Sequence, residues 1–92
     1  MSTVTNDEDT RDYVAANVQH RLSECGKTVY WLMKTTGELP NRIYPVVRGD
    51  AMATAGLLSR IAEALGCTAD ALLAKPSKKI LEKFLEKRLQ SA

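Results

Sequence analysis

Aromatic residues are scarce in this 92-residue chain, which has one Phe, one Trp and three Tyr. Any core must be assembled mainly from Leu, Val, Ile and Ala, a composition that favours helices over a sheet. Cysteine is almost absent too. Cys25 and Cys67 form no CxxC pair and have no histidine cluster beside them, which excludes a disulfide scaffold and argues against a zinc knuckle. Both are expected to be small packing residues of a reduced compartment. His20 is the only histidine, and five positions along a helix set it about 140° away from Cys25. A Cys-His nucleophile pair is therefore not expected, and neither are enzymatic activity, a metal or a cofactor. No apolar run approaches the roughly 20 residues of a membrane span, and no basic stretch followed by an apolar one opens the chain. A soluble, cytoplasmic protein without a membrane partner or an evident small-molecule ligand is expected.

The net charge of +2 says little, but its distribution says more. Asp7, Glu8, Asp9 and Asp12 face only Arg11 in the first 13 residues. From Gly26 to Arg60, Lys27, Lys34, Arg42, Arg48 and Arg60 outweigh Glu38 and Asp50. A basic middle follows an acidic start.

Hydrophobic spacing predicts six helices. Residues 1–9 are polar and acidic and are expected to be disordered, with a first helix starting near Asp9 or Thr10. Val14, Val18 and Leu22 give that helix an apolar face, and it ends before Gly26. Thr28 offers an N-cap to a second helix that buries Leu32 and either Val29 or Met33 and closes at Gly37. Pro40 suits the first position of a third helix, with Ile43, Val46 and Val47 inward and Gly49 at its end. Thr54 caps a fourth, carrying Leu57, Leu58, Ile61, Ala62 and Leu65 and ending at Gly66. Thr68 caps a short fifth that returns Leu72 and Leu73 to the core, and Lys75 with Pro76 breaks the chain. Ser77 to Gln90 forms an amphipathic sixth helix with Ile80, Leu81, Phe84, Leu85 and Leu89 on one stripe.

A short helix, a tight turn and a second short helix with a polar outer face form the device that lays one helix in the major groove. The residues GKTVYWLMKTTG (26–37), Ile43 and Val47 ahead of RG (48–49), and TAGLLSRIAEALGCTADALL (54–73) resemble the lambda repressor and Cro family of helix-turn-helix domains, often called the XRE family. The resemblance implies an all-α fold: a five-helix DNA-binding domain over residues 10–75, followed at 76–92 by a C-terminal helix. It also implies a transcriptional regulator, most simply a repressor, that binds double-stranded DNA. The positions that meet phosphates and bases in that family fall here on Thr28, Val29, Pro40, Asn41, Arg42, Tyr44, Pro45 and Arg48. Val29 departs from the Gln often found after the cap and cannot hydrogen-bond a phosphate or a base. Pro45 departs as well, since a proline five residues into a helix removes a hydrogen bond and crowds the carbonyl of Asn41. The helix is then either short or kinked, or its surface is adapted away from groove reading.

Arg42 matches the O6 and N7 edge of guanine, and Asn41 the N6 and N7 edge of adenine. Tyr44 either contacts DNA or packs on Val47 and Arg48. Lys27, Lys34 and Arg48 are candidates for phosphates, and Trp31 is expected in the core or at a dimer contact. The sixth helix offers more apolar surface than such a domain needs to cover. Ile80, Leu81, Phe84, Leu85 and Leu89 are accordingly expected to hold a homodimer together, unless the helix folds back on the first and fifth. The alternative function is a protein-interaction module, antitoxin-like or an adaptor, on the same scaffold.

Overall fold

The computed structural model describes residues 7–91, and the described residues are helices joined by short turns. They comprise α1 (Asp7–Cys25), α2 (Val29–Thr36), α3 (Pro40–Arg48), α4 (Ala55–Leu65), α5 (Ala69–Leu73) and α6 (Lys78–Ser91). The expected disorder of residues 1–9 lies largely outside the described residues, but α1 begins at Asp7, two to three residues earlier than its periodicity indicated. No helix among the described residues is long and apolar enough to cross a membrane.

Local chemistry sets the helix ends. The hydroxyls of Thr28, Thr54 and Thr68 accept from the amides of Trp31, Leu57 and Ala71, each satisfying one of the unpaired donors of a first turn. Gly37, Gly49 and Gly66 close α2, α3 and α4 in the left-handed conformation. Ser77 does for α6 what the threonines do elsewhere, accepting from the amide of Ile80 at 3.3 Å.

The main core joins Val14, Val18 and Leu22 of α1 to Leu32, to Ile43, Val46 and Val47, to the α4 stripe and to Leu72. Each fully buried Leu or Ile contributes about 1.5 to 3 kcal/mol. Val29, Met33 and Trp31 pack at its margin, half-buried. Leu73 does not return to this core. A five-residue helix turns only one of two adjacent leucines inward, and Leu73 is exposed while Leu72 is fully buried. Cys67 packs against the core, but Cys25, expected to pack as well, ends α1 on the surface.

α1 also has a second buried face. Ala15 and Ala16 are fully buried in a cluster with Phe84 of α6, with Ile80 and Leu81 packed against it. The small alanine side chains let α6 approach closely. Ile80, Leu81 and Phe84 therefore pack against α1 of their own chain, whereas the reading as a dimer stripe left them for a second copy. Two amide side chains tie the layers further. Asn17 donates to the carbonyls of Leu72 and Ala74, both at 2.8 Å, and Gln19 donates to the carbonyl of Val47 at 2.7 Å. The first fixes the end of α5 on α1, and the second does the same for the end of α3.

Candidate nucleic-acid interface

Residues 29–48 form a helix, a three-residue turn and a second helix. α2 is oriented by Leu32, its one fully buried side chain, and α3 by Ile43, Val46 and Val47. At about 100° per residue, burying that trio turns Asn41, Pro45 and Arg48 to the opposite side. Asn41 and Arg48 are exposed and Pro45 is half-exposed. Arg42 and Tyr44 flank this ridge on either side. Tyr44 packs against the core margin and is half-buried there.

α3 runs unbroken through Pro45. The missing N–H leaves the carbonyl of Asn41 without its helical partner, but Asn41 is exposed, so water can reach that oxygen. Pro45 comes after little more than one turn, and its own carbonyl accepts from the amide of Asp50 at 2.8 Å beyond the helix end. Pro40 occupies the first turn, where no donor is lost, and Leu39 caps the helix without a side-chain bond.

Glu38, in the turn, had no assigned role in the sequence, yet it organises this surface. Its carboxylate is nine-tenths buried and pairs with Arg42 at 3.3 Å on one side and with Arg60 of α4 on the other. The turn is thereby fastened both to α3 and to α4. Only the Glu38/Arg42 spacing of four residues was visible in the sequence, because Arg60 lies 22 positions further on. Arg48 is paired as well, with Asp50 at 3.2 Å. Both arginines of the ridge region are thus paired with a carboxylate while more than half exposed.

On α2, Thr28 acts as the cap, so its hydroxyl is already an acceptor for the Trp31 amide. Lys27 lies over the Trp31 ring at 5.4 Å from its centre, and Lys34 over Tyr30 at 6.0 Å. These cation–π contacts orient two exposed ammonium groups on the α2 surface. Val29 is half-buried against the core. Thr28, Lys34, Pro40, Asn41, Arg42 and Arg48 are all exposed within this one helix-turn-helix unit. Leu85 and Leu89, from the expected dimer stripe, are also exposed, at 39% and 78%, on α6. Among the described residues no group of three or more His, Cys, Asp or Glu side chains could hold a metal ion.

No protein-family model and no curated protein matches the chain. Its fold is similar to that of the crystal structure of a hypothetical transcription factor, NHTF, from Neisseria, with a TM-score of 0.70 at 21% identity over 100% of this chain and 95% of that one. Identity this low carries across the fold, the arrangement of helices, and nothing finer.

Proposed function

We propose that this chain is a sequence-specific, double-stranded-DNA-binding transcriptional regulator of the lambda repressor and Cro type, acting as a repressor in the cytoplasm. The observation that carries the reading is the ridge of α3. Asn41 and Arg48 project beside Pro45, Arg42 is paired with Glu38 on the adjacent flank, and the whole surface is free of core packing apart from Tyr44. In this reading α3 enters the major groove, Arg42 and Asn41 meet base edges, and Thr28, Lys34 and Arg48 lie against phosphates. Pro40, at the start of α3, approaches the backbone. Pro45 sits mid-ridge and offers an apolar contact of the kind a thymine methyl accepts.

The regulator acts as a homodimer, with its two α3 helices about 34 Å apart, one turn of DNA. Since Ile80, Leu81 and Phe84 are engaged with α1, the apolar surface left for a partner copy on α6 is Leu85 and Leu89. No catalytic role, metal or cofactor belongs to the proposal.

A second reading, a protein-interaction module, draws on one specific observation. Both Arg42 and Arg48 have acid partners, which lowers the positive potential that a phosphate surface needs. Selection of bound sequences from a pool of random duplexes separates the two. Enrichment of a near-palindrome, with affinity that falls steeply as salt rises, supports the regulator. Weak, salt-insensitive binding without enrichment supports the module.

A further inference from the structure

Each end of α3 carries one carboxylate between two arginines, and the two arrangements differ in charge. At the far end Asp50 pairs with Arg48 at 3.2 Å and with Arg88 at 3.4 Å, and Arg88 also reaches Asp12. Two guanidiniums meet two acids there, so the group is neutral. At the start Glu38 pairs through Oε1 with Nε of Arg42 at 3.3 Å and through Oε2 with Nη1 of Arg60. Among the described residues no other acid pairs with either of these arginines. Two cations share one acid, and one formal positive charge is left over at the start of α3. Both arginine side chains are more than half exposed, while that of Glu38 is nine-tenths buried.

We infer that Arg60 is a further DNA contact, which holds from α4 the phosphate beside the base that Arg42 reads. This rests on the regulator reading and extends its interface beyond the helix-turn-helix unit. The shared acid fixes where Arg60 stands, because a guanidinium on the other oxygen of the same carboxylate is a neighbour of Arg42. The atoms engaged divide the work. Arg60 meets Glu38 through Nη1, which leaves its Nε and Nη2 edge, two parallel N–H groups, for the two free oxygens of a phosphodiester. Arg42 meets Glu38 through Nε, which leaves its two terminal nitrogens for a base edge. Charge points the same way, since two guanidiniums around one carboxylate repel each other and a second anion on the exposed side balances them. Arg42 rides on the helix that enters the groove, whereas Arg60 belongs to α4 behind it and stays at the level of the phosphates. In the sequence Arg60 counts only toward the basic middle, because the acid it pairs with lies 22 positions back.

The test uses the full chain and its selected duplex, with one linkage at a time replaced by an uncharged methylphosphonate. For the parent chain one such replacement is expected to cost about tenfold in affinity. In R60Q the same replacement should cost nothing further, and the slope of log affinity against log salt should flatten by about 0.9. R60K keeps the charge without the two-pronged edge, so it should keep the slope and lose part of the linkage effect. It carries the test should R60Q lose helicity. E38Q separates contact from fastening. A residue that only ties the turn to α4 acts through Glu38, so R60Q would then leave the slope of E38Q unchanged, whereas a phosphate contact flattens it there too. A parent chain without site-selective, salt-dependent binding overturns the regulator reading and this contact with it. Site-selective binding with an unchanged slope in R60Q, or with the parent's full linkage cost in R60K, overturns the contact alone.

Discussion

Arg88, in the last turn of α6, donates through Nη1 to the carbonyl oxygen of Gly49 at 3.3 Å, joining the C-terminal helix to the residue that ends α3. The same nitrogen pairs with Asp12 of α1 at 3.0 Å, and Nη2 with Asp50 at 3.4 Å. Asp50 in turn holds Arg48. One guanidinium therefore anchors the end of the candidate recognition helix to two others, and α6 takes part in positioning it.

That closeness makes Gly49 unlike the other C-cap glycines. Its φ is +87°, and a Cβ there would lie 2.7 Å from Arg88 Nη1, 3.1 Å from Phe84 Cζ and 3.4 Å from Ala15 Cβ. Gly66, at φ +72°, has open space around it. Gly66→Ala should cost about 1 to 2 kcal/mol for the left-handed backbone alone. Gly49→Ala should cost about 1 kcal/mol more, since the Arg88 tip can move aside but the ring edge and Ala15 are packed. Urea midpoints at equal slope measure the difference. Equal losses at the two sites would show that α6 does not press on the end of α3.

Phe84→Ala should lower stability by about 3 kcal/mol, because it empties the centre of the α1–α6 cluster. Leu89→Ala on the same helix should stay within about 0.5 kcal/mol in the monomer, given its exposure. Thermal unfolding of the two variants beside the parent chain decides this. A Phe84 variant as stable as the parent would mean that α6 does not dock.

Glu38→Gln should separate positioning from charge. Stability is expected to fall by no more than about 1 kcal/mol, since both guanidiniums are more than half exposed and water screens them. Affinity for random duplex should rise with one acid removed, while the preference for the selected site narrows because Arg42 is no longer held. Anisotropy titrations with both duplexes read the two effects. A variant that gains affinity equally for both would rule out positioning of Arg42 by Glu38.

Base reading and phosphate contact make different demands on Arg42 and Lys34. Arg42→Ala should cost about 1 to 3 kcal/mol and relax preference at one base pair. Lys34→Ala should weaken all sequences alike and reduce the salt slope by about 1. Loss of preference at no position in the Arg42 variant would remove that side chain from the set of base readers.

Truncation before α6 is a poor test of dimerisation, since it also removes the Phe84 clustered with Ala15 and Ala16 and releases Gly49 from Arg88. Leu85→Glu with Leu89→Glu leaves those contacts alone. Sedimentation equilibrium should show the parent chain as a dimer and this variant as a monomer of unchanged helicity. A parent chain that is monomeric at high micromolar concentration would sink the homodimer.

By itself the sequence determined where helices start and stop and which face of each is apolar. Thr28, Thr54 and Thr68 bond to amides three residues on, and Gly37, Gly49 and Gly66 provide backbone freedom at a single position, so both signals are local. The ridge of Asn41, Pro45 and Arg48 was legible for the same reason, because burying Ile43, Val46 and Val47 leaves α3 only one outward side. Periodicity says that a face is buried but not against what. Only the tertiary structure decided that Phe84 clusters with Ala15 and Ala16, that Leu85 and Leu89 stay outside, that Leu72 and not Leu73 turns inward, and that Glu38 is shared between Arg42 and Arg60. Arg88 meets Gly49 across 39 residues of chain. Such pairings depend on how α1 and α6 cross, an angle fixed by the joint packing of both helices and carried by no single stretch of either.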